Sequence, residues 1–123
     1  MSIAVKRAYE GPAAKDGRRI LVDRVWPRGV GKEELRLDGW YRELAPSAPL
    51  RKWFGHDPER WAGFQKRYLA ELRRAELREP LDELAKLGKR GKVTLVYGAR
   101  DEEHNQAIVL RDYLQRLIAK KPS

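Results

Sequence analysis

Gly91-Lys92-Val93-Thr94-Leu95-Val96-Tyr97-Gly98 is the stretch that decides the fold. Residues 93–97 form a nearly continuous apolar run, bounded on each side by a glycine within two residues. A strand that is apolar on both faces must be covered on both faces, and such strands belong at the centre of parallel sheets. Two parallel neighbours cannot be joined by a tight hairpin, so helices are expected on either side of the run in sequence.

Those helices are legible. Upstream, Pro80 opens a short helix carrying Leu81, Leu84 and Leu87, and Gly88 closes it. Before it, Asp57 caps a longer helix with Pro58 in first position and Glu59 near its positive end. Trp61, Phe64, Tyr68, Leu72 and Ala75 recur there at steps of three or four, one apolar stripe. Ser47 caps a further short helix with Leu50, Trp53 and Phe54, stopped by Gly55. Downstream, Asp101 is expected to cap the last helix, with Glu102 and Glu103 in its first turn. Its stripe is Ala107, Leu110, Leu114 and Leu117, and Lys120 and Lys121 sit at its negative end.

Farther out, residues 3–9 alternate Ile3, Val5, Arg7 and Tyr9 against Ala4, Lys6 and Ala8, the period of a strand. Residues 20–26 form a second strand, ended by Pro27 and Gly29, after a loop that turns at Asp16-Gly17. Residues 32–35 suit a single helical turn, and residues 40–44 fit a strand or a helix equally well. The order strand, strand, helices, strand, helix predicts an α/β fold: a small, largely parallel sheet of three to four strands with helices on both faces. Residues 1–119 are expected to form one domain, with a frayed tail over 120–123.

Composition narrows the chemistry. Among 123 residues there is no cysteine, which excludes disulfides, thiolate zinc sites and a cysteine nucleophile. No leader or membrane-length apolar run is visible, and a cytoplasmic location is the simple reading. The 27 basic and 18 acidic residues leave a net charge of +9, which attracts polyanions. Part of that charge can pair along helices, at Arg67–Glu71, Asp82–Lys86 and Asp112–Arg116. The two histidines, His56 and His104, lack the paired spacing of metal ligands, so no metal is expected. No P-loop, nucleophile elbow or Gly-x-Gly-x-x-Gly motif points to a particular cofactor.

Two clusters can carry function. Asp23-Arg24-Val25-Trp26-Pro27-Arg28-Gly29 puts charge inside and beyond an apolar strand, at a cost unless the charges find partners. Strand alternation sets Arg24 opposite Asp23 and on the face of Trp26. Arg24 and Arg28 beside an aromatic plane suit a phosphate or carboxylate on a flat ring. The structural alternative is ion pairs to helices with Trp26 in the core. Gly98 to Asn105 links the apolar strand to the last helix, where free amides favour an anion. His104 and Asn105 are expected in that helix's first turn, and Tyr97 can aim its hydroxyl at the same place; capping and core packing are the competing readings. Both clusters follow strand carboxyl ends, where open parallel sheets bind ligands. If the two strands are parallel neighbours, Arg24, Arg28, His104 and Asn105 converge.

Lys6-Arg7, the run from Arg19 through Asp23-Arg24-Val25-Trp26-Pro27-Arg28-Gly29, Leu50-Arg51-Lys52-Trp53-Phe54, Phe64 with Tyr68, and Leu95-Val96-Tyr97 followed by His104-Asn105 resemble the YeaO-like branch of the bacterial family called domain of unknown function 488. The resemblance spans nearly the whole chain. It implies a compact cytoplasmic α/β domain and no established activity. The wider family typically carries a Cys-His-Arg run after the last strand; this chain has His104-Asn105 there and no cysteine. What carries over is the place of a site, not thiol chemistry.

The expected function is binding, with or without processing, of a phosphorylated or other anionic small molecule such as a nucleotide. Arg24, Trp26, Arg28, Tyr97 and Asn105 are its expected ligand contacts. His104 is the proton-transfer group and Asp23 its catalytic companion or orienter. The alternative is a non-catalytic nucleic-acid-binding module using the basic residues 51–92, Arg73, Arg74 and Arg78 among them.

Overall fold

A computed structural model describes residues 2–120 of the chain. The apolar run is strand β4 (Lys92–Tyr97), buried from Val93 to Tyr97 at the centre of a four-stranded sheet. Its neighbours are β1 (Ser2–Arg7) and β2 (Arg18–Leu21), and the two-residue β3 (Gly39–Trp40) borders β2. All pairings are parallel, with Ile3 opposite Val93, Ile20 opposite Leu95 and Ile20 opposite Gly39.

Five α-helices cover the sheet unequally: α1 (Lys32–Leu35), α2 (Ala48–Phe54), α3 (Trp61–Leu72), α4 (Arg78–Arg90) and α5 (Gln106–Ala119). Side chains alternate across a strand. Ile3, Ile20, Val93, Leu95 and Tyr97 therefore point to one face and bury the apolar stripes of α2 to α5, including Phe54, Phe64, Tyr68, Leu84 and Leu110. Leu21 and Val96 point to the other face, where, among the described residues, Leu35 of α1, Ala8, Trp40 of β3 and loop residues such as Trp26 cover them. That thinner face also holds a buried ionic knot. Asp16 accepts from Lys6 at 3.2 Å and from Arg19 at 2.7 Å, and Thr94 Oγ1 donates to the Asp16 carbonyl at 2.7 Å. Gly17 (φ 65°) closes the turn under it; a Cβ there would lie 2.2 Å from the Lys92 carbonyl oxygen.

Several local expectations are corrected. The second strand leaves the sheet after Leu21 rather than running to residue 26, so the alternation expected for Asp23, Arg24 and Trp26 does not apply. The cause is chemical: the Asp23 carboxylate turns to bind the end of β4. Residues 40–44 split into β3 and a 3-10 turn, Arg42–Leu44. Ser47 caps α2 as expected, accepting from Leu50 N–H at 3.2 Å. Asp57 and Pro58 open a 3-10 turn that leads into α3, and Ala75 lies beyond that helix. Helix α4 passes through Gly88 to Arg90 because that glycine is a packing contact. A Cβ there would meet the Cδ1 atoms of Ile3 and Ile118 at 2.6 and 2.8 Å.

The last helix starts at Gln106, capped by Asn105 rather than by Asp101. Asp101 instead folds its own turn, accepting from the N–H groups of Glu103 and His104 at 2.9 and 3.0 Å. Glu102 and Glu103 therefore lie before the helix. None of the three expected helix-face ion pairs forms among the described residues. Arg67 covers the Trp53 ring, Glu71 binds Ser47, and Asp112 pairs with Arg111. Lys120 N–H still bonds the Arg116 carbonyl; Lys121 and the rest of the expected tail lie outside the described residues.

Candidate functional site

β2 and β4 are parallel neighbours, so the chain leaves both at the same edge of the sheet. A cavity of about 430 Å³ opens there. Its walls take residues 23–28 after β2, Gly98, Ala99 and residues 104–106 around the start of α5, and side chains from α2 and α3. The expected convergence holds: Arg24, Arg28, His104 and Asn105 all line this one cavity, together with Asp23 and Trp26.

Their individual states differ. Asp23 Oδ2 accepts the Gly98 N–H at 2.8 Å and Oδ1 accepts from the Gln106 amide. Its backbone carbonyl takes the Trp40 indole N–H at 2.7 Å. Burial pushes its carboxyl up to about 6, against the opposing pull of those two hydrogen bonds and of Arg51. A Cβ at position 98 would sit 2.9 Å from Asp23 Oδ2, so glycine lets the clamp close without displacing the carboxylate. Arg24 is committed to structure: its guanidinium donates to the carbonyls of Pro46 (3.2 Å) and Ala45 (3.4 Å). Trp26 packs edge-on to Trp40, ring centroids 5.5 Å apart, with its N–H on the Val30 carbonyl.

Asn105 is also committed. Its Oδ1 caps α5 through Ile108 N–H, and its Nδ2 donates to the Asp101 carbonyl. The capped helix start is thus less available to a ligand than a bare one. Tyr97 is buried beneath the site and does not line it, and burial, then Glu102 and Glu10, hold its hydroxyl above the usual range. His104 lines the cavity with its ring edge-on to Trp61. Its Nδ1 meets Asp101 Oδ2 at 2.9 Å, which orients the ring and leaves Nε2 without a protein partner among the described residues. The Glu103 N–H, and after it the His104 ring, hold Asp101 below the ordinary carboxylate range.

Sequence reasoning missed Arg51 and His56. Both line the cavity, so both histidines of the chain meet there. His56 adopts φ 58°, a left-handed conformation uncommon for residues with a Cβ. It follows Gly55, itself at φ 54°, and the paired turn brings the imidazole round beside the Phe54 ring. The dipeptide Gly55-His56 was the available signal; nothing in the sequence placed α2 over the strand ends. The ion pairs among the described residues involve neither Arg28 nor Arg51. The site therefore presents two unpaired guanidiniums, an oriented imidazole, a second imidazole, and the apolar walls of Phe54, Phe64 and Val25.

Against this geometry stands one decisive likeness: a family model described as "Inactive DUF488-N3 subclade" matches residues 2–122. The chain belongs to that DUF488-N3 subclade. Its relatives include the uncharacterized protein YeaO of Escherichia coli K12, 44% identical over 117 residues, which span 95% of this chain and 100% of YeaO. Uncharacterized proteins of Mycobacterium bovis and of Mycobacterium tuberculosis H37Rv are each 41% identical over 112 residues, 91% of this chain and 92% of theirs. No solved structure matches the chain. The YeaO-like resemblance of the sequence is thus a family membership, and the cavity is the candidate site of this DUF488-N3 domain.

Proposed function

We propose that this chain is a cytoplasmic protein that binds a phosphorylated or carboxylated small molecule in the cavity at the strand ends, without transforming it. The carrying observation is that Arg28 and Arg51 enter one cavity and take part in no ion pair among the described residues. Guanidinium forks match phosphate and carboxylate oxygens. Asp23 shares this lining, but both its oxygens already accept hydrogen bonds, from the Gly98 N–H and the Gln106 amide, which offset its charge toward a bound anion. The walls of Phe54, Phe64 and Val25 favour a ligand with a flat organic part, as in a nucleotide.

Binding without turnover is favoured by the family's description, which carries the word "inactive". His104, held by Asp101, then serves as a hydrogen-bonding group toward the ligand. The cysteine-free composition is compatible with that cytoplasmic location.

The test is calorimetric titration with inorganic phosphate, pyrophosphate and adenosine monophosphate on wild type, Arg28→Ala and Arg51→Ala. Saturable binding that each substitution weakens about tenfold, the loss expected for one charge-assisted contact, supports the reading. Absence of binding by all three anions, or equal binding by the variants, overturns it. Release of phosphate from the nucleotide by wild type but not by His104→Ala would show turnover and refute the non-catalytic part alone.

A further inference from the structure

Helix α5 connects two different ends of the molecule. Gln106 at its start reaches Asp23 beyond the strand carboxyl ends, and Gln115 near its end donates to the carbonyl of Ile3 at the opposite end of the sheet. Gln106 and Leu117 are about 16 Å apart along the helix axis at 1.5 Å per residue. At that far end lies a second concavity, about 500 Å³ in volume, between the α3–α4 connection and the last turns of α5.

Its chemistry is unlike the first. Arg73, Arg74 and Arg78 come from one side and Lys120 from the other, and among the described residues of the lining Asp82 is the single carboxylate they face. All four cations are exposed. The one ion pair these cations form among the described residues, Arg74 with Glu76 at 3.4 Å, joins two largely exposed side chains and neutralises little. Tyr113 and Leu117, both half-buried, supply an aromatic and an aliphatic surface between the cationic rims. Residues forty positions apart in sequence thus build one basic groove with an aromatic floor.

We propose that this groove binds single-stranded nucleic acid. Guanidinium and ammonium groups along the rims would follow successive phosphates, and the Tyr113 ring would take a base face. A duplex keeps its base faces stacked and has none to offer a recessed ring. A membrane surface is flat and would meet the rims without the floor. The proposal is independent of the anion cavity, which lies at the other end of the molecule.

The experiment is fluorescence anisotropy with a labelled oligothymidylate of about twelve nucleotides, over a salt series. Four phosphate contacts predict a slope of log K against log salt of about −2.8. Arg73→Ala with Arg78→Ala should weaken binding at low salt at least about tenfold and reduce the slope to about −1.4. Both residues are exposed, so the double variant should fold. Tyr113→Phe should bind as wild type and Tyr113→Leu more weakly. No oligonucleotide binding at low salt, or binding indifferent to the Arg pair, overturns the proposal. So does equal affinity for duplex of the same length, or for anionic phosphatidylserine vesicles, together with indifference to Tyr113→Leu, since that pattern describes a generic cationic patch.

Discussion

The Asp23 carboxylate and the Gly98 amide join the carboxyl ends of the two central strands, Oδ2 to N at 2.8 Å. Val22 still bonds the Val96 carbonyl in sheet fashion, but one residue later the side chain replaces the backbone as the link between strands. The second carboxylate oxygen holds Gln106 at the start of α5. The floor of the anion cavity is therefore a half-buried clamp, and its strength depends on protonation.

Burial raises Asp23 from 3.8 in the free group to about 6. The folded state binds this proton more tightly than the unfolded chain, so the side chain loses stability as pH rises through that interval and changes no further above it. Asp23→Asn removes the titration. Urea unfolding at about pH 4 and about pH 7 should show wild type gaining on the variant at the lower pH, by up to about 3 kcal/mol. A difference independent of pH would remove Asp23 as the titrating group.

Gly98→Ala should strain the same clamp. The added Cβ would stand 2.9 Å from Asp23 Oδ2 and 3.9 Å from Pro27 Cβ. A loss of about 1–3 kcal/mol is expected, read by thermal denaturation together with weaker anion binding. An unchanged melting temperature would mean that the strand ends move apart freely.

Arg24 and Arg28 should separate cleanly in a paired experiment. Arg24→Ala strips hydrogen bonds from the Pro46 and Ala45 carbonyls and should cost about 1–3 kcal/mol of stability. Arg28→Ala removes an exposed side chain that forms no ion pair among the described residues and should stay within about 0.5 kcal/mol of wild type. Its effect should appear in ligand affinity. If the two variants melt alike, the division between a structural and a binding arginine is wrong.

Asp16→Asn probes the thin face of the sheet. Burial alone would raise this carboxyl, but the Ala13 N–H, Lys6 and Arg19 more than offset it, and the group ends below its ordinary value. Its stabilisation is therefore present above the unfolded pKa and lost as pH falls through the folded one. Neutralising it leaves Arg19, 4% exposed, without its partner, at a cost of about 3–5 kcal/mol. Chemical denaturation at neutral pH measures the loss, and the variant should lack the corresponding acid-induced decline. A cost under about 1 kcal/mol would mean the ion pair is solvated.

Much of this architecture was legible because one-dimensional patterns carry it. The apolar run in β4, the stripe Trp61, Phe64, Tyr68, Leu72, and the caps Ser47 and Asp57 act through neighbours in sequence. Helix ends were less legible where a side chain had a distant alternative. Gly88 looked like a stop but serves as a contact for Ile3 and Ile118, and Asp101 preferred its own turn to capping α5. In the site, Arg24, Arg28, His104 and Asn105 were foreseen because strand carboxyl ends gather in any open parallel sheet. Arg51 and His56 were not, since α2 reaches the cavity only through tertiary packing.

Residue order alone determined that the chain forms a parallel α/β sheet and which of its ends gathers charge, because periodicity and turn chemistry are local. Tertiary structure decided which charges remain free. Arg24 is held by the Pro46 and Ala45 carbonyls and Asp23 by Gly98 and Gln106, while Arg28 and Arg51 form no ion pair among the described residues. Whether a guanidinium finds a carbonyl or a ligand depends on which backbone oxygens lie within about 3 Å of it, and only the packed chain sets that distance.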